Sequence, residues 1–391
     1  MIARTETVVG ANAERSRSHN RQVILARVRA AGQVGRAEIA RASGLSTQAV
    51  SNIIADLLSE EMIVEKGRRS GARGLPAVQY ALNPAGGYAL GVEIRPGAVY
   101  AALLDLGGKA AYSERASLAA GDLETVTEAV IALKDRALAA SGAPPDRVLG
   151  AGIVMPGPFG RTGIRGSGSE LAPWHETDPH TWFTSALALP VHVENDANAA
   201  AMAEGVSGVA RDLDTYAFLY FGIGLGLGFV HQGRLMAGAF GNAGEIGHIP
   251  VPCGGETVLL ETVVSRLSVQ QHLAAAGRSV TVSDDLAQLY EERDAALLGW
   301  LARAAEPLSA ALTIVENLFD PQVVIFGGAM PEALLDHLID CVTLPERSVA
   351  NRAGRTRPRL MRGTSGRMTA TLGAAALVIN QAFTPMISAT Q

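Results

Sequence analysis

The chain has 391 residues, of which 48% are hydrophobic, and its 33 basic and 38 acidic side chains leave a net charge of −5. This length predicts two or three folded units, and polar residues interrupt the apolar runs too often for a bilayer span. Only Cys253 and Cys341 are present, so the chain has no disulfide framework, which favours a reducing compartment. These totals argue against a membrane protein and a disulfide-rich secreted protein, and we expect a cytoplasmic protein with no membrane partner.

The N-terminal part of the chain is basic, whereas the remainder is acidic. Residues 1–19 are polar, contain no apolar stretch of signal-peptide length and predict a disordered arm. Residues 1–80 hold 12 Lys and Arg against 7 Asp and Glu, and the rest of the chain is net negative. This asymmetry favours a polyanion as the partner of the N-terminal unit, although a basic solvated surface is a commoner cause of such a bias.

Residues 20–82 predict a small unit built from three helices and a hairpin. Apolar residues recur at helical spacing in NRQVILARVRAAGQV (20–34), and RAEIARASG (36–44) predicts a second short helix that stops at its glycine. LSTQAVSNIIADLLSEEMI (45–63) predicts a third helix with Ser46 as the N-cap. Its inner face consists of Val50, Ile53, Ile54 and Leu57. A second and third helix joined by a tight turn are typical of a helix-turn-helix, whose later helix enters a DNA major groove.

The exposed residues of this unit carry the chemistry for DNA contacts. The start of the third helix presents hydrogen-bonding side chains that can contact base edges or phosphates, namely Ser46, Thr47, Gln48, Ser51 and Asn52. IVEKGRRSGARGLPAVQYALNP (63–84) predicts two strands around a basic tip that contains Lys66, Arg68, Arg69 and Arg73. Such a tip is typical of the wing of a winged helix, where arginines reach phosphates or the minor groove. The alternative is a small helical unit with a solvated hairpin.

Beyond Asn83-Pro84 the sequence becomes rich in glycine, alanine and β-branched strands. GYALGVEI (87–94), RVLGAGIVMPGP (147–158) and PQVVIFGG (321–328) predict buried strands, and DLETVTEAVIALKDRALAAS (122–141) predicts a helix. Similar β-rich openings occur in both halves, with helices between them. We therefore expect an α/β body of two related lobes, residues 83–200 and 201–391, around a cleft in which a small ligand lodges.

Three segments of the body resemble the ROK family, whose name joins repressors, uncharacterised reading frames and kinases. They are VENDANAAAMAEG (193–205), GIGLGLGFVHQGRLMAGAFGNAGEIGHIPV (222–251) and NLFDPQVVIFGGAM (317–330), and the likeness runs from about Gly87 to Ile379. The resemblance implies an actin-like or hexokinase-like fold of two lobes, with residues of about 365–385 returning to the first lobe. Repressor members of the family add an N-terminal winged helix, as residues 20–84 do here.

The resemblance also implies a sugar site. Family members bind sugar through positions that correspond here to Asn195, Asp196, Glu245, His248 and Glu261, and the loop GSGSELAPWH (166–175) adds Ser169 as a candidate. Carboxylates and an imidazole suit the hydroxyl groups of a pyranose, which both donate and accept hydrogen bonds. Taken singly, Asp196 could cap a helix, Glu245 could lie on the surface and His248 could be a core histidine. In the kinases of the family, the position of Asp196 holds the general base.

The expected phosphate loops of a kinase are altered. ROK kinases carry DIGGTK-like residues after the first strand, whereas this chain has Glu93-Ile94-Arg95-Pro96-Gly97, in which a proline without an N–H and an arginine replace the glycines. The second glycine-rich block has Ile223 in place of a threonine. We therefore predict a protein that binds no ATP and is not an enzyme. We also predict no structural zinc, because only His248 and Cys253 remain of the family's four ligands.

These observations predict a sugar-responsive repressor of carbohydrate genes that binds operator DNA as a homodimer or a dimer-based oligomer. One alternative is an ATP-dependent sugar kinase with a DNA-binding appendage, which the retained Asp196 favours. Another is a sugar-binding scaffold whose N-terminal unit contacts a protein. Strong dependence of DNA binding on salt would separate that alternative from the first.

Overall fold

The computed structural model describes residues 13–69, 77–95, 97–155, 174, 177–280, 282–364, 366 and 368–384. The N-terminal unit contains α1 (Ala13–Ala31), β1 (Val34–Gly35), α2 (Arg36–Ser43), α3 (Thr47–Ser59), β2 (Ile63–Arg69) and β3 (Ala77–Leu82). Its antiparallel sheet has the order β1-β3-β2. Ile24, Val28 and Ile39 pack with Tyr80 in the core between the helices and this sheet.

The local pattern of α3 agrees with its predicted structure. The Ser46 hydroxyl accepts a 3.2 Å hydrogen bond from the N–H of Ala49, so Ser46 is the N-cap. The predicted inner face of Val50, Ile53, Ile54 and Leu57 is fully or almost fully buried. Gly44 ends α2 with a φ of 70°, a conformation that costs glycine little, and so allows the tight turn into α3.

The first helix begins earlier than its apolar pattern predicts. α1 starts at Ala13, so the expected disordered arm over residues 1–19 is wrong for residues 13–19; residues 1–12 lie outside the described residues. Arg17 donates a 2.6 Å hydrogen bond to Asp56, and Arg21 pairs with Glu60. These partners lie on or just after α3. Because such long-range charge pairs leave no apolar periodicity, the start of α1 could not be predicted from local sequence.

The first lobe of the body is a sheet with helices on its face. Its elements are β4 (Tyr88–Arg95), β5 (Ala98–Asp105), β6 (Ala110–Ser117), α4 (Leu123–Ser141), β7 (Val148–Val154), α5 (Pro179–Leu187) and β8 (Val191–Glu194). The sheet has the order β6-β5-β4-β7-β8. β4 pairs antiparallel with β5 and parallel with β7. A core that includes Leu90, Val130 and Phe183 joins the sheet to α4 and α5.

The second lobe repeats this strand order. Its elements are α6 (Asp196–Ser207), β9 (Tyr216–Phe221), β10 (Leu225–His231), β11 (Arg234–Leu235), β12 (Pro250–Cys253), β13 (Glu256–Leu259), α7 (Arg266–Ala275), α8 (Ser283–Glu291), α9 (Ala295–Phe319), β14 (Val324–Gly328), α10 (Glu332–Cys341) and β15 (Leu360–Arg362). The sheet has the order β11-β10-β9-β14-β15, which matches the first sheet strand for strand, while β12 and β13 form a separate hairpin. The predicted α/β fold of two related lobes is confirmed.

The last helix, α11 (Thr369–Phe383), joins the parts of the molecule. It packs on α6 and on β4 and β7 of the first lobe, and it also contacts α1. The approach is close, since a Cβ on Gly373 would lie 1.8 Å from the carbonyl oxygen of Ala199 in α6. A lobe boundary at residue 200 would cut through α6, which starts at Asp196 and packs against β9 and β10 of the second sheet, so the expected boundary is wrong.

The N-terminal unit also contacts the first lobe directly. Arg147 donates a 2.7 Å hydrogen bond to the carbonyl oxygen of Glu60 and lies 2.5 Å from the Glu61 carboxylate. Arg29 of α1 lies 4.8 Å over the ring of Phe383. None of the described helices combines the length and the apolarity that a bilayer crossing requires.

Candidate functional site

The start of α6 forms the floor of the candidate sugar site. Asn195 is the N-cap, because its side-chain oxygen accepts a 2.7 Å hydrogen bond from the N–H of Asn198. Glu194 supports it by accepting from the Asn195 N–H and from the Asn198 amide, both at 2.9 Å. Asn195 therefore caps the helix. One oxygen of the Asp196 carboxylate accepts a hydrogen bond from the N–H of Ala197. The other oxygen of Asp196 faces Gly222, where an added Cβ would lie 3.2 Å away.

The Asp196 carboxyl lies in an unusual electrostatic environment. Burial raises its pKa to about 7, and the nearby carboxylates of Glu93 and Glu245 act in the same direction. The hydrogen bond from Ala197 and the positive charge of Arg95 oppose this rise. A carboxyl with a pKa near neutrality can both donate and accept a hydrogen bond at physiological pH, as contact with a sugar hydroxyl requires.

Glu245, His248 and Glu261 lie together at the edge of this floor. Glu245 precedes a short 3₁₀ turn, Ile246–His248, which ends at His248, and Glu261 lies in a second turn, Leu260–Thr262. His248 Nε2 is 3.9 Å from Glu245 Oε2, and His248 Nδ1 is 3.7 Å from Glu261 Oε1. These separations exceed hydrogen-bond length, so the imidazole and both carboxylates have bonding capacity for a ligand. Burial raises the pKa of Glu245. The charge of His248 lowers this pKa, and the charge of Glu261 raises it further.

The structure thus brings four of the predicted sugar residues near one another. The charge of Glu245 reaches Asp196, and His248 lies between Glu245 and Glu261. Asn195 is buried and its side-chain oxygen is engaged in the cap, so its role is to stabilise the start of α6. Ser169 lies outside the described residues.

An ion pair between a partly buried arginine and a buried glutamate lies at the end of β4, where the sequence resemblance predicts an altered phosphate loop. Glu93 is only 3% exposed, and Arg95 Nε lies 2.5 Å from Glu93 Oε1. Thr371 Oγ1 of α11 donates a 2.7 Å hydrogen bond to the other oxygen, Glu93 Oε2. The Arg95 guanidinium also lies 4.5 Å over the ring of Tyr100. Sequence reasoning missed Thr371, because its contact with Glu93 spans 278 positions and belongs to no local motif.

The second glycine-rich block is the turn between β9 and β10. Ile223 in this turn is 49% exposed and offers no hydroxyl group. Its carbonyl oxygen accepts a 3.1 Å hydrogen bond from the N–H of Leu267, which ties the turn to the start of α7. A separate set of residues, which includes Gly327, Gly328 and Arg362, lines a cavity of about 20 Å³. Arg362 is held there by Glu332 at 2.7 Å and Asp336 at 2.9 Å.

The segment for which the family resemblance raised the question of zinc is a hairpin. Gly254 and Gly255 form the turn between β12 and β13 with φ values of 59° and 88°. The N–H of Gly254 donates a 3.1 Å hydrogen bond to Glu306 of α9, and Cys253 is partly buried. Among the described residues, no three His, Cys, Asp or Glu side chains come together as a metal-binding group.

The candidate DNA-binding residues lie on the surface of the N-terminal unit. Ser46, Thr47, Gln48 and Asn52 are exposed at the start of α3, and Ser51 is half-buried. Gln48 Nε2 donates a 3.0 Å hydrogen bond to Asn52 Oδ1, so these two side chains lie side by side. Lys66 and Arg68 are exposed on β2, while the side chain of Arg69 and the whole of Arg73 lie outside the described residues.

Comparison with known proteins places the body in one family. Residues 89–381 match the ROK family, and because this match covers most of the chain, the chain belongs to the ROK family. The xylose repressor of Bacillus spizizenii is 24% identical over 322 residues, covering 80% of this chain and 83% of that protein. The DNA-binding transcriptional repressor Mlc of Escherichia coli (strain K12) is 25% identical over 324 residues, covering 77% of this chain and 79% of Mlc.

Two solved structures share the fold. A ROK family transcriptional regulator, described as a homologue of the E. coli Mlc protein, matches with a TM-score of 0.71 and 24% identity over 93% of this chain and 97% of its own. A ROK family glucokinase from Streptomyces griseus, in complex with glucose and AMPPNP, matches with a TM-score of 0.58 and 24% identity over 74% of this chain and 99% of its own. The likeness to the regulator therefore extends over more of the chain than the likeness to the kinase.

Proposed function

We propose that this protein is a DNA-binding transcriptional repressor of carbohydrate genes, whose ROK body senses a sugar and does not phosphorylate it. The observation that carries the proposal is the direct linkage of two sites. The polar cleft around Asp196 contacts α11, and α11 contacts the N-terminal unit that presents Gln48 and Asn52. The repressor names of these relatives, and the solved ROK family regulator that covers 93% of this chain, support the same function.

In this proposal the N-terminal unit is a winged helix-turn-helix. The α2–turn–α3 geometry suits insertion of α3 into a major groove, where Thr47, Gln48 and Asn52 would contact base edges and Ser46 and Ser51 would approach phosphates. The β2–β3 hairpin acts as the wing, with Lys66, Arg68, Arg69 and Arg73 as its phosphate or minor-groove contacts. The two-fold symmetry of a homodimer would match a palindromic operator.

The proposed effector lies in the cleft. Asp196, Glu245, His248 and Glu261 contact its hydroxyl groups, and Asn195 fixes the start of α6 beneath them; Ser169 completes the proposed set. The unfilled bonding capacity around His248 supports this assignment, since the nearest carboxylate oxygens are 3.7 and 3.9 Å away. Neither ATP nor structural zinc has a part in it.

The first phosphate loop supports the proposal that the protein is not a kinase. Phosphoryl transfer needs backbone amides that surround the phosphates and ligands that hold Mg²⁺. Here Arg95 engages Glu93, and Thr371 engages the other oxygen of the same carboxylate. Neither oxygen of Glu93 is left without a protein partner, which argues against a role in metal binding.

A sugar kinase is the second candidate, and one observation favours it. The pKa of Asp196 is raised to about 7, as suits a general base that operates near neutral pH. The same carboxyl can instead hydrogen-bond the sugar without catalysis. Formation of a sugar phosphate from ATP by the purified protein would decide for the kinase.

The test of the proposed function has two stages. The full-length protein is first used to select its binding sites from random duplex DNA, and the affinity for the selected sequence is measured by fluorescence anisotropy. A panel of monosaccharides and their derivatives is then screened by thermal shift. A ligand at 100 times its Kd adds about 2.7 kcal/mol of stability. We expect a ligand found in this way to weaken DNA binding about 5- to 150-fold, the range of an allosteric coupling of about 1–3 kcal/mol.

Substitutions connect this effect to the cleft. His248→Ala is expected to abolish the thermal shift and to retain DNA binding, and His180→Ala, at an exposed position on α5, is the matched control. A protein that selects no DNA sequence would contradict the repressor, and an effector that strengthens DNA binding would reverse the direction of the response.

A further inference from the structure

A cavity lies at the junction between the N-terminal unit and the first lobe. Its volume is about 320 Å³, which is near the lower end of the range for small-molecule sites. Its walls come from α1 of the N-terminal unit, from β7 and β8 at the edge of the first sheet, and from α11. No residue of the candidate sugar site lines it, so this cavity is a separate place for a ligand.

Most of the cavity wall is apolar. The side chains that supply this surface are those of Leu149, Pro190, Val191, Val378 and Ala382. The sheet and α11 approach each other closely at Gly150, where an added Cβ would lie 2.7 Å from the carbonyl oxygen of Pro190 and 3.3 Å from Val378 Cγ1. This close contact fixes the wall, and its surface favours a ligand with an apolar body.

Three polar side chains, those of Gln22, His192 and Gln381, also line the cavity. Gln22 Nε2 donates a 3.1 Å hydrogen bond to the backbone carbonyl oxygen of Gln381, which joins α1 to α11 beside the cavity. His192 differs, because within the described ranges no protein group forms a hydrogen bond with its ring. Burial lowers the pKa of His192, and the nearby His180 lowers it further, so the ring is neutral at pH 7. A neutral imidazole offers a ligand one donor and one acceptor.

The charge of the lining restricts the chemistry of the ligand. None of the described residues that line the cavity is Asp, Glu, Lys or Arg. A charged ligand would lose hydration without gaining an opposite charge, which is costly. A free sugar is also a poor fit, because one imidazole and two amides cannot satisfy its many hydroxyl groups. The lining therefore suits a neutral molecule that has few polar groups.

We propose that this cavity binds a small neutral molecule that has one apolar ring and one hydroxyl group, and that this molecule is a second effector. The ring packs on the apolar wall, and the hydroxyl group forms a hydrogen bond with His192. The binding site is independent of the proposed function. The role of its ligand as an effector rests on that function, since it requires DNA binding.

The position of the cavity explains how such a molecule would act. β8 runs from His192 to Glu194, which accepts 2.9 Å hydrogen bonds at the start of α6, on the floor of the sugar site. Gln22 belongs to α1, and α11 contacts both α1 and β8. A ligand in the cavity would therefore contact the N-terminal unit and the first lobe at once. It would hold α1 against α11 and so bias the position of the DNA-binding residues.

The test uses probes of matched shape on the full-length protein. Isothermal titration calorimetry measures the affinities for benzyl alcohol, benzoate, benzylammonium, phenol and toluene. We expect benzyl alcohol to bind at least about tenfold more tightly than benzoate or benzylammonium, which have a similar shape and carry a charge. His192→Leu should weaken the binding of phenol about 2- to 10-fold, the size of one lost hydrogen bond, and should leave toluene binding unchanged.

A substitution that fills the cavity gives a second measurement. Ala382→Trp should abolish probe binding, whereas Ala140→Trp, at an exposed alanine of α4, should leave it unchanged. Thermal unfolding shows whether each variant is folded, and if Ala382→Trp does not fold, the His192→Leu comparison decides. With the selected DNA, saturating benzyl alcohol should change the affinity of the wild type about 5-fold or more and should have no effect on Ala382→Trp.

Several outcomes would overturn the inference. They are the absence of binding by every probe, equal affinities for the neutral and charged probes, and binding that survives in a folded Ala382→Trp variant. Displacement of phenol by an effector sugar would assign the probe to the sugar site. An affinity that falls as the protein concentration rises would mean that a second copy of the chain covers the cavity, which also contradicts the proposal.

The DNA measurement separates this inference from the proposed function. Probe binding with an unchanged affinity for DNA would overturn the effector role. A wild-type protein that selects no DNA sequence would count against the repressor, whereas the comparison of neutral and charged probes would still decide whether the cavity is a binding site.

Discussion

The Thr371 hydroxyl in α11 donates a 2.7 Å hydrogen bond to Glu93 in β4, and Glu93 lies close enough to Asp196 to raise the pKa of that carboxyl. At the other end of α11, Phe383 lies beneath the guanidinium of Arg29 in α1. One continuous helix therefore contacts both the floor of the cleft and the N-terminal unit. A shift of α11 on sugar binding would be transmitted to α1 without any change in the DNA-binding residues themselves.

Weakening the contact at the far end of α11 should reduce this coupling. We expect Arg29→Ala to bind operator DNA and effector with nearly normal affinities, while the effect of the effector on DNA affinity falls about 2- to 5-fold. This range corresponds to ~0.5–1 kcal/mol, the lower part of the range for cation–π contacts. The measurement is DNA affinity with and without saturating effector. Arg29→Lys keeps a cation over the ring and serves as the control; an unchanged effector response in Arg29→Ala would contradict a role for this contact.

The contact between the start of α11 and Glu93 can be tested by measuring the stability of Thr371 variants. Thr371→Val removes the hydroxyl that donates to Glu93 and leaves a buried carboxylate oxygen without that partner, which should cost about 1–3 kcal/mol of unfolding free energy. Thr371→Ser keeps the hydroxyl and should recover most of this loss. Chemical denaturation of the two variants checks the expectation. Equal stability of the valine variant and the wild type would show that the hydrogen bond contributes little.

Local patterns in the sequence predicted the parts of the fold that short-range physics determines. The buried face of α3, with Val50 and Ile54, follows from helical periodicity, and the Ser46 cap follows from residue type and position. The start of α1 could not be predicted in this way, because the pairs Arg17–Asp56 and Arg21–Glu60 each span 39 positions. Periodicity reports which face is buried and carries no information about such distant partners.

In the candidate site too, local motifs predicted some residues, whereas features that depend on long-range packing could not be predicted. The resemblance in the ENDANA and GEIGH segments indicated Asp196 and His248, but it gave neither the raised pKa of Asp196 nor the carboxylates on both sides of His248. The partial burial of Arg266 could not be predicted from the sequence, since an arginine at the start of a helix is ordinarily a surface residue. It follows from the packing of α7 against the β9–β10 turn.

Substitutions on α3 and on the wing should affect DNA binding in different ways. Gln48→Ala or Asn52→Ala should cost about 1–3 kcal/mol on the selected sequence and much less on unrelated DNA, because these exposed amides would read bases. Lys66→Ala or Arg68→Ala should weaken binding to all sequences and lower the slope of log K against log salt by about 1. Lys109→Ala, exposed on the body, is the control for a change of charge. The same salt slope in the Lys66 and Arg68 variants as in the wild type would remove β2 from the DNA interface.

The raised pKa of Asp196 predicts how stability changes with pH. Burial first and then the charge of Glu93 raise the folded-state pKa of Asp196 to about 7, above the ordinary aspartate value of 3.8. The group is therefore protonated more readily in the folded state, so its stabilising contribution is fully present below 3.8 and is lost as pH rises through about 7. The loss amounts to at most about 1.4 kcal/mol for each pH unit in that interval.

Asp196→Asn isolates this contribution, because asparagine has a similar shape and does not titrate. Between pH 5 and pH 8 the free energy of unfolding should fall further in the wild type than in the variant, and at pH 8 the variant should be the more stable protein. Other buried carboxyls, such as Glu194 and Glu245, titrate in both proteins, so the difference between the two curves reports mainly on Asp196. Denaturation curves measured at several pH values provide the comparison, and parallel curves would mean that Asp196 is ionised in the folded protein throughout this range.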